Sequence, residues 1–239
     1  MTILRVDGVS KSFRGLLALD KVSFEVERGE IFAVVGPNGA GKTTLFNVLA
    51  GVYRPQSGSV WFEDERIDGL RPDSICVRGV ARTFQIVRPF AGLSVFDNVV
   101  IGALLRADLA GARATSEQIL RSLELWDKRA RPAGALTLPD RKRLELARAL
   151  ATGPKLLLLD EVMAGLRPAE IDRAVAMLRE INQGGVTIVM IEHVMRAVTA
   201  LADRIHVLHH GASLAQGTPQ EVTSDPRVIE SYLGAESFE

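Results

Sequence analysis

One cysteine, Cys76, is all the thiol chemistry in this sequence. An intramolecular disulfide is impossible and no cysteine-based metal site can be assembled; a reduced, cytosolic setting is expected, with Cys76 a small core residue. Long apolar runs are missing too: VVIGALL (99–105) and VTIVMI (186–191) fall far short of the roughly 18 residues that span a bilayer. The opening MTILRVDGVSKSF carries charge where an export signal needs its apolar block, so none is expected. Net charge is absent as well. Twenty-nine basic residues balance 29 acidic ones, so no global field draws the chain to nucleic acid or an anionic membrane. His206, His209 and His210 have no carboxylate or thiol cluster beside them and are expected as surface or strand-end residues, not metal ligands.

What is present suits one α/β domain: 239 residues, 47% of them hydrophobic, without repeats or a long linker. β-rich runs at 3–7 and 22–26 precede IFAVV (31–35), a glycine-rich turn and a helix in KTTLFNVLAG that Gly51 ends. Residues 58–84 read as strand-rich, and about 92–152 as helical with starts at Ser94, Thr115 and Thr137. Beyond them KLLLLD, VTIVMI and RIHVL alternate with helices over 168–183 and 193–202, then short helices close the chain. Alternation predicts a mostly parallel sheet. The expected organisation is a core of about 1–91 and 153–239 with a helical subdomain at about 92–152.

GPNGAGKT (36–43) matches G-x-x-x-x-G-K-[ST] between a predicted strand and a predicted helix, the context a phosphate-binding loop requires. Gly36, Gly39 and Gly41 let the backbone curl through Pro37, Asn38 and Ala40, so that its N–H groups meet phosphate oxygens at a helix N-terminus. Lys42 supplies a charge for the β and γ phosphates, Thr43 a hydroxyl for Mg²⁺ and Thr44 a further phosphate contact. Such a site needs a carboxylate at the end of a second strand. LLLLDE supplies Asp160 as metal partner and Glu161 as the base that polarises an attacking water.

LTLPD (136–140) reads as a helix start: Thr137 and Asp140 have capping-box spacing, and Pro139 stands in the first turn. Leu144, Ala147 and Ala151 then share an apolar face, leaving Arg141, Glu145 and Arg148 on a wet one.

Together, the phosphate loop, the LLLLDE strand, the helix start upstream of it and a histidine opening a later helix resemble the ATP-binding subunit of an ABC transporter, over essentially the whole chain. The resemblance implies a P-loop NTPase of ABC type: a mostly parallel sheet core, an N-terminal antiparallel β piece and an inserted helical subdomain. LTLPD then stands where the family signature is usually LSGGQ, and Thr137, Leu138, Pro139 and Asp140 would face the γ phosphate of an ATP held by a second subunit. Leu138 and Pro139 replace two glycines, and Asp140 a glutamine. Phe13 falls where the family stacks an aromatic on adenine, Gln85 at the loop that senses Mg²⁺ and water, and His193 at the γ-phosphate histidine. AGLRP (164–168) would be the loop crossing the dimer interface, and Val162 replaces a proline common after the catalytic glutamate.

By the same resemblance the protein uses ATP and Mg²⁺, pairs as a homo- or heterodimer, and drives two transmembrane permease subunits from the cytoplasmic face of the membrane. RTFQIVRPFAGLSVFDNV, MAGL and GTPQEVTSDPRVIESYLG are most similar to branched-chain amino acid importers, which add an extracytoplasmic binding protein. Three alternatives stand beside this: a lipopolysaccharide-export ATPase, a cassette with weak or lost hydrolysis in a structural or regulatory role, and an ATPase acting on nucleic acid or the ribosome. Balanced charge and a single cassette argue against the last.

Overall fold

β1 (Thr2–Phe13) and β2 (Leu16–Glu27) form an antiparallel hairpin, and its two turn residues, Arg14 and Gly15, both take positive φ, 47° and 89°. That backbone twist is the one a two-residue hairpin favours. The computed structural model describes residues 1–83 and 89–233, and Gln85 lies outside the described residues. Val22, Phe24 and Val26 are buried while Ser23 and Glu25 between them are exposed, the period of a strand with one covered face.

β3 (Ile31–Val35) is buried throughout and leads through the glycine-rich turn into α1 (Lys42–Leu49). Gly51 follows the helix at φ 73°, where a Cβ would stand 2.6 Å from the Leu70 carbonyl oxygen. β4 (Ser57–Phe62) and β5 (Glu65–Arg66) complete an antiparallel sheet of order β2-β1-β4-β5. The strand-rich reading of 58–84 fails at α2 (Pro72–Arg78), before β6 (Val80–Arg82). Pro72 in the first turn, Asp73 beside it and Gly79 at φ 109° start and stop that helix. Cys76, on α2, is half-buried and outside the apolar core.

α3 (Val95–Ala103) starts at Ser94, whose hydroxyl accepts the Asp97 N–H at 3.0 Å. α4 (Leu109–Ser122) does not start at Thr115, which lies inside it; Asp108 caps it by accepting the Gly111 N–H at 2.9 Å. A carboxylate is at least as good a cap as a threonine hydroxyl, and here it comes seven residues earlier. α5 (Leu138–Ala151) has Thr137 as its cap. Val99, Leu120, Leu144 and Ala147 of these helices are fully buried in one apolar cluster. Glu145 is buried as well and Arg148 half-buried, so the face expected to be wet is covered, packed towards α2 and β6.

The remaining elements are β7 (Leu156–Asp160), α6 (Pro168–Gln183), β8 (Thr187–Ile191), α7 (Met195–Leu201), β9 (Arg204–His209), β10 (Ala212–Gly217), α8 (Pro219–Ser224) and α9 (Pro226–Leu233). β10 is a strand the sequence reading did not anticipate. It pairs back on β9 through His210 and Gly211, both at positive φ. The second sheet runs β10-β9-β3-β8-β7-β6, parallel except for β10, which makes the fold the expected α/β P-loop type. His206 is not a surface residue. It is buried in β9 beside Phe24 and Phe32, its ring nitrogens 3.1 Å from Gln216 and Ser213, and burial pushes its pKa down.

Candidate nucleotide site

Val34, Ile191 and Asp160 sit side by side across three adjacent parallel strands, β3, β8 and β7. The loop after β3, His193 beyond β8 and Glu161 beyond β7 therefore leave the sheet along one edge, the carboxyl edge where open α/β sheets hold ligands. In the loop, Gly36 has φ 149°, Gly39 78° and Gly41 103°. A Cβ on Gly36 would lie 2.1 Å from the Leu208 carbonyl oxygen, and one on Gly41 2.4 Å from that of Ala18. These two glycines are required by close backbone approach as well as by φ. Pro37 accepts the Ala40 N–H at 3.2 Å, tightening the turn, and Asn38, Gly39 and Thr43 are exposed.

Lys42 is buried and folds back across the loop, its ammonium donating to the carbonyls of Gly36 at 2.6 Å and Pro37 at 2.9 Å. Burial lowers its pKa, and the carboxylates of Glu161 and Asp160 oppose the shift. Thr43 and Thr44 lie in the first turn of α1, beside the loop amides.

Asp160 is buried and, among the described residues, its carboxylate is bound through one oxygen. Arg82, at the end of β6, donates to its Oδ2 at 2.8 Å and to Asn47 of α1 at 2.7 Å. Asp160 Oδ1 is buried with no hydrogen-bond partner among the described residues, an arrangement that costs about 1–3 kcal/mol unless something binds there. A hard divalent cation and its waters suit such an oxygen, with the Thr43 hydroxyl as second donor. Among the described residues no group of three or more His, Cys, Asp or Glu could hold an ion alone. An ion held at Asp160 would therefore need further ligands, such as phosphate oxygens and water.

Glu161 has φ 50°, a left-handed backbone that costs a non-glycine residue about 1–3 kcal/mol. Its carboxylate Oε1 lies 2.5 Å from His193 Nε2. The residue before His193, Glu192, is buried and accepts the Met163 N–H at 2.8 Å. Two consecutive residues after β8 therefore grip the turn that follows β7. From the other side Lys142 of α5 donates to the carbonyls of Glu161 at 3.1 Å and Ala164 at 2.6 Å.

At the start of α5 the Thr137 hydroxyl donates to Asp140 Oδ2 at 2.9 Å, and the Asp140 N–H points back at the hydroxyl from 3.5 Å. Lys128 at 2.5 Å and Arg143 at 3.4 Å hold the same carboxylate. Burial pushes the Asp140 pKa up, but the hydrogen bonds from Lys128 and Thr137 and the charges of Lys128 and Arg143 outweigh it, leaving it below the usual range. Leu138 is exposed and reaches over Gly165 in the turn after Glu161. Phe13 ends β1 partly exposed, edge-on to Tyr53 with ring centres 5.1 Å apart and Lys11 over both rings.

Residues 19–164 match the ABC transporter family, and residues 214–237 match the family described as branched-chain amino acid ATP-binding cassette transporter. The chain belongs to the ABC transporter family. The high-affinity branched-chain amino acid transport ATP-binding protein LivG of Salmonella typhimurium is 40% identical over 97% of this chain and 98% of its own. BraF of Pseudomonas aeruginosa, a protein of the same description, is 38% identical with the same coverage. A crystal structure of an ABC transporter's ATP-binding cassette in its ADP conformation superposes with a TM-score of 0.90, at 32% identity, over 98% of this chain and 99% of that one. The protein is an ATP-binding cassette and an ATPase that powers transport. Among its described residues no helix is long and apolar enough to cross a membrane.

The cassette brings Lys42, Asp160, Glu161 and His193 to one sheet edge, with Phe13 and the start of α5 further out on separate elements. Four residues at or beside the site were not singled out from sequence: Arg82, Lys142, Glu192 and Tyr53. Tyr232 of α9 is a fifth; burial raises the pKa of its hydroxyl, and a hydrogen bond with the Gly36 backbone opposes that shift. Arg82 ends β6, which pairs with the strand of Asp160, a placement that the structure shows and the sequence does not.

Proposed function

We propose that the protein is the ATP-hydrolysing subunit of an importer for branched-chain amino acids, acting as a dimer on two permease subunits at the cytoplasmic face of the membrane. The names of its relatives and the match at residues 214–237 support the cargo; an importer of this kind also works with an extracytoplasmic binding protein.

Within the site, Gly36 to Thr44 cradle the triphosphate, and Lys42 exchanges its carbonyl contacts for the β and γ phosphates. Phe13 stacks on adenine, and Tyr53 and Lys11 hold that ring in place. Thr43, Asp160 and Gln85 would hold Mg²⁺ and its waters. When bound, Mg²⁺ neutralises charge that develops on the phosphates. Glu161 accepts a proton from the attacking water, and His193 orients that carboxylate and reaches towards the γ phosphate. Thr137, Leu138, Pro139 and Asp140 meet the ATP of the second subunit, so each site is completed by the partner's helix start.

The observation that carries hydrolysis is the Glu161–His193 contact at the edge where the phosphate loop leaves the sheet. Reconstitution in liposomes with the permease and binding protein tests cargo and hydrolysis together. Labelled leucine, isoleucine or valine should enter in proportion to ATP turned over. Turnover coupled to another solute overturns the cargo, and absent turnover overturns the ATPase role.

A further inference from the structure

We propose that Lys142 is a positioning residue for hydrolysis, tying the strained turn that carries Glu161 to the helix whose start faces the second subunit. The proposal rests on the ATPase reading above.

A left-handed non-glycine residue persists only where its surroundings over-determine it. At Glu161 four contacts do so: its N–H donates to the Ile191 carbonyl at 3.0 Å, its carbonyl accepts from Ala164 N–H at 3.2 Å and Lys142 at 3.1 Å, and Met163 is held by Glu192. Three of these come from the turn itself, from β8 or from Glu192 just beyond it. Lys142 alone among them comes from α5, and its second bond, to Ala164 at 2.6 Å, spans the turn's far end. One ammonium thus closes the turn between its first and fourth residues while anchored five residues from the cap Thr137.

The charge is placed for this task. Burial lowers the Lys142 pKa, while the carboxylates of Glu192, Glu161 and Glu145 oppose the shift. Lys142 also lines a cavity of about 170 Å³ between α5 and α6 with Pro139, Leu146, Val162 and Leu166. A residue of the same length without the charge should keep the fold and lose the tie. Reaction geometry is where the loss should be felt, because a small displacement of a base costs rate without costing substrate binding.

Two variants and two measurements test this. Lys142→Met should lower kcat for Mg·ATP about tenfold or more, with KM within about twofold of wild type. Backbone amides in peptides covering 161–166 should exchange with deuterium about tenfold faster. Lys142→Arg, which keeps donor and charge, should retain at least about a third of kcat and native exchange. The proposal is overturned if Lys142→Met keeps kcat within about twofold, if KM rises instead, if exchange is unchanged, or if Lys142→Arg is as impaired as Lys142→Met. Wild-type protein that neither binds nor hydrolyses ATP counts against the ATPase role, whereas the exchange measurement still reads the tie.

Discussion

His193 Nε2 and Glu161 Oε1 meet at 2.5 Å although the residues stand 32 apart in sequence and leave different strands. The contact exists because β7 and β8 are parallel neighbours in register to their ends, Asp160 beside Ile191. His193→Ala should therefore lower ATP turnover by about two orders of magnitude while ATP affinity changes little. Steady-state turnover beside a nucleotide titration checks this; equal loss in both would make His193 a binding residue.

Lys42→Ala should abolish ATP binding. The triphosphate loses its main charge partner, and charge-assisted hydrogen bonds contribute about 1.5–3 kcal/mol each. A titration giving near wild-type affinity would remove the phosphate-loop assignment.

Asp140 yields a prediction with a sign. Its carboxyl titrates below 3.8 in the fold, so the stabilisation it provides is present above pH 3.8 and fades as pH falls through the lower folded value. Asp140→Asn should cost about 1–2 kcal/mol at pH 7, seen as a lower urea midpoint. The gap between variant and wild type should narrow steadily below pH 3.8. A gap that widens with acid would assign the effect to another group.

Pro139 and Thr137 set which donors the start of α5 offers. Pro139 contributes no N–H and the Asp140 N–H turns back to Thr137, so the first turn offers fewer donors than the family's paired glycines would. Pro139→Gly should tighten ATP-dependent dimerisation by up to about tenfold while slightly lowering Tm. Thr137→Ala should nearly eliminate the dimer, since it removes both a cap and a hydroxyl. Light scattering of ATP-loaded protein reads both, and the reverse order would reduce LTLPD to a cap on a surface helix.

Much of the fold was legible because local chemistry and tertiary placement agree. IFAVV, LLLLD and TIVMI are continuous apolar runs, and all three are fully buried parallel strands. Ser94 and Thr137 cap helices as their sequence context implies. The misreadings have physical causes. β10 is a half-exposed edge strand, ASLAQG, with little β propensity, and it exists because β9 offers it a partner. Glu145 and His206 are polar residues buried by elements distant in sequence, which periodicity cannot reveal. Within the candidate site, the glycine-rich loop at 36–43 is a contiguous motif, so its match to a phosphate-binding pattern needs no tertiary information. Lys142 and Glu192 act through backbone groups of the turn after β7, and no spacing announces a contact with a carbonyl or an amide.

Glu161→Gln tests the central claim most directly, with ATP turnover and molecular mass measured on the same preparation. The amide still accepts from His193 but cannot take a proton, so turnover should fall to background while ATP·Mg stays bound and the dimer accumulates. Turnover that persists in this variant would contradict the account and place the base elsewhere.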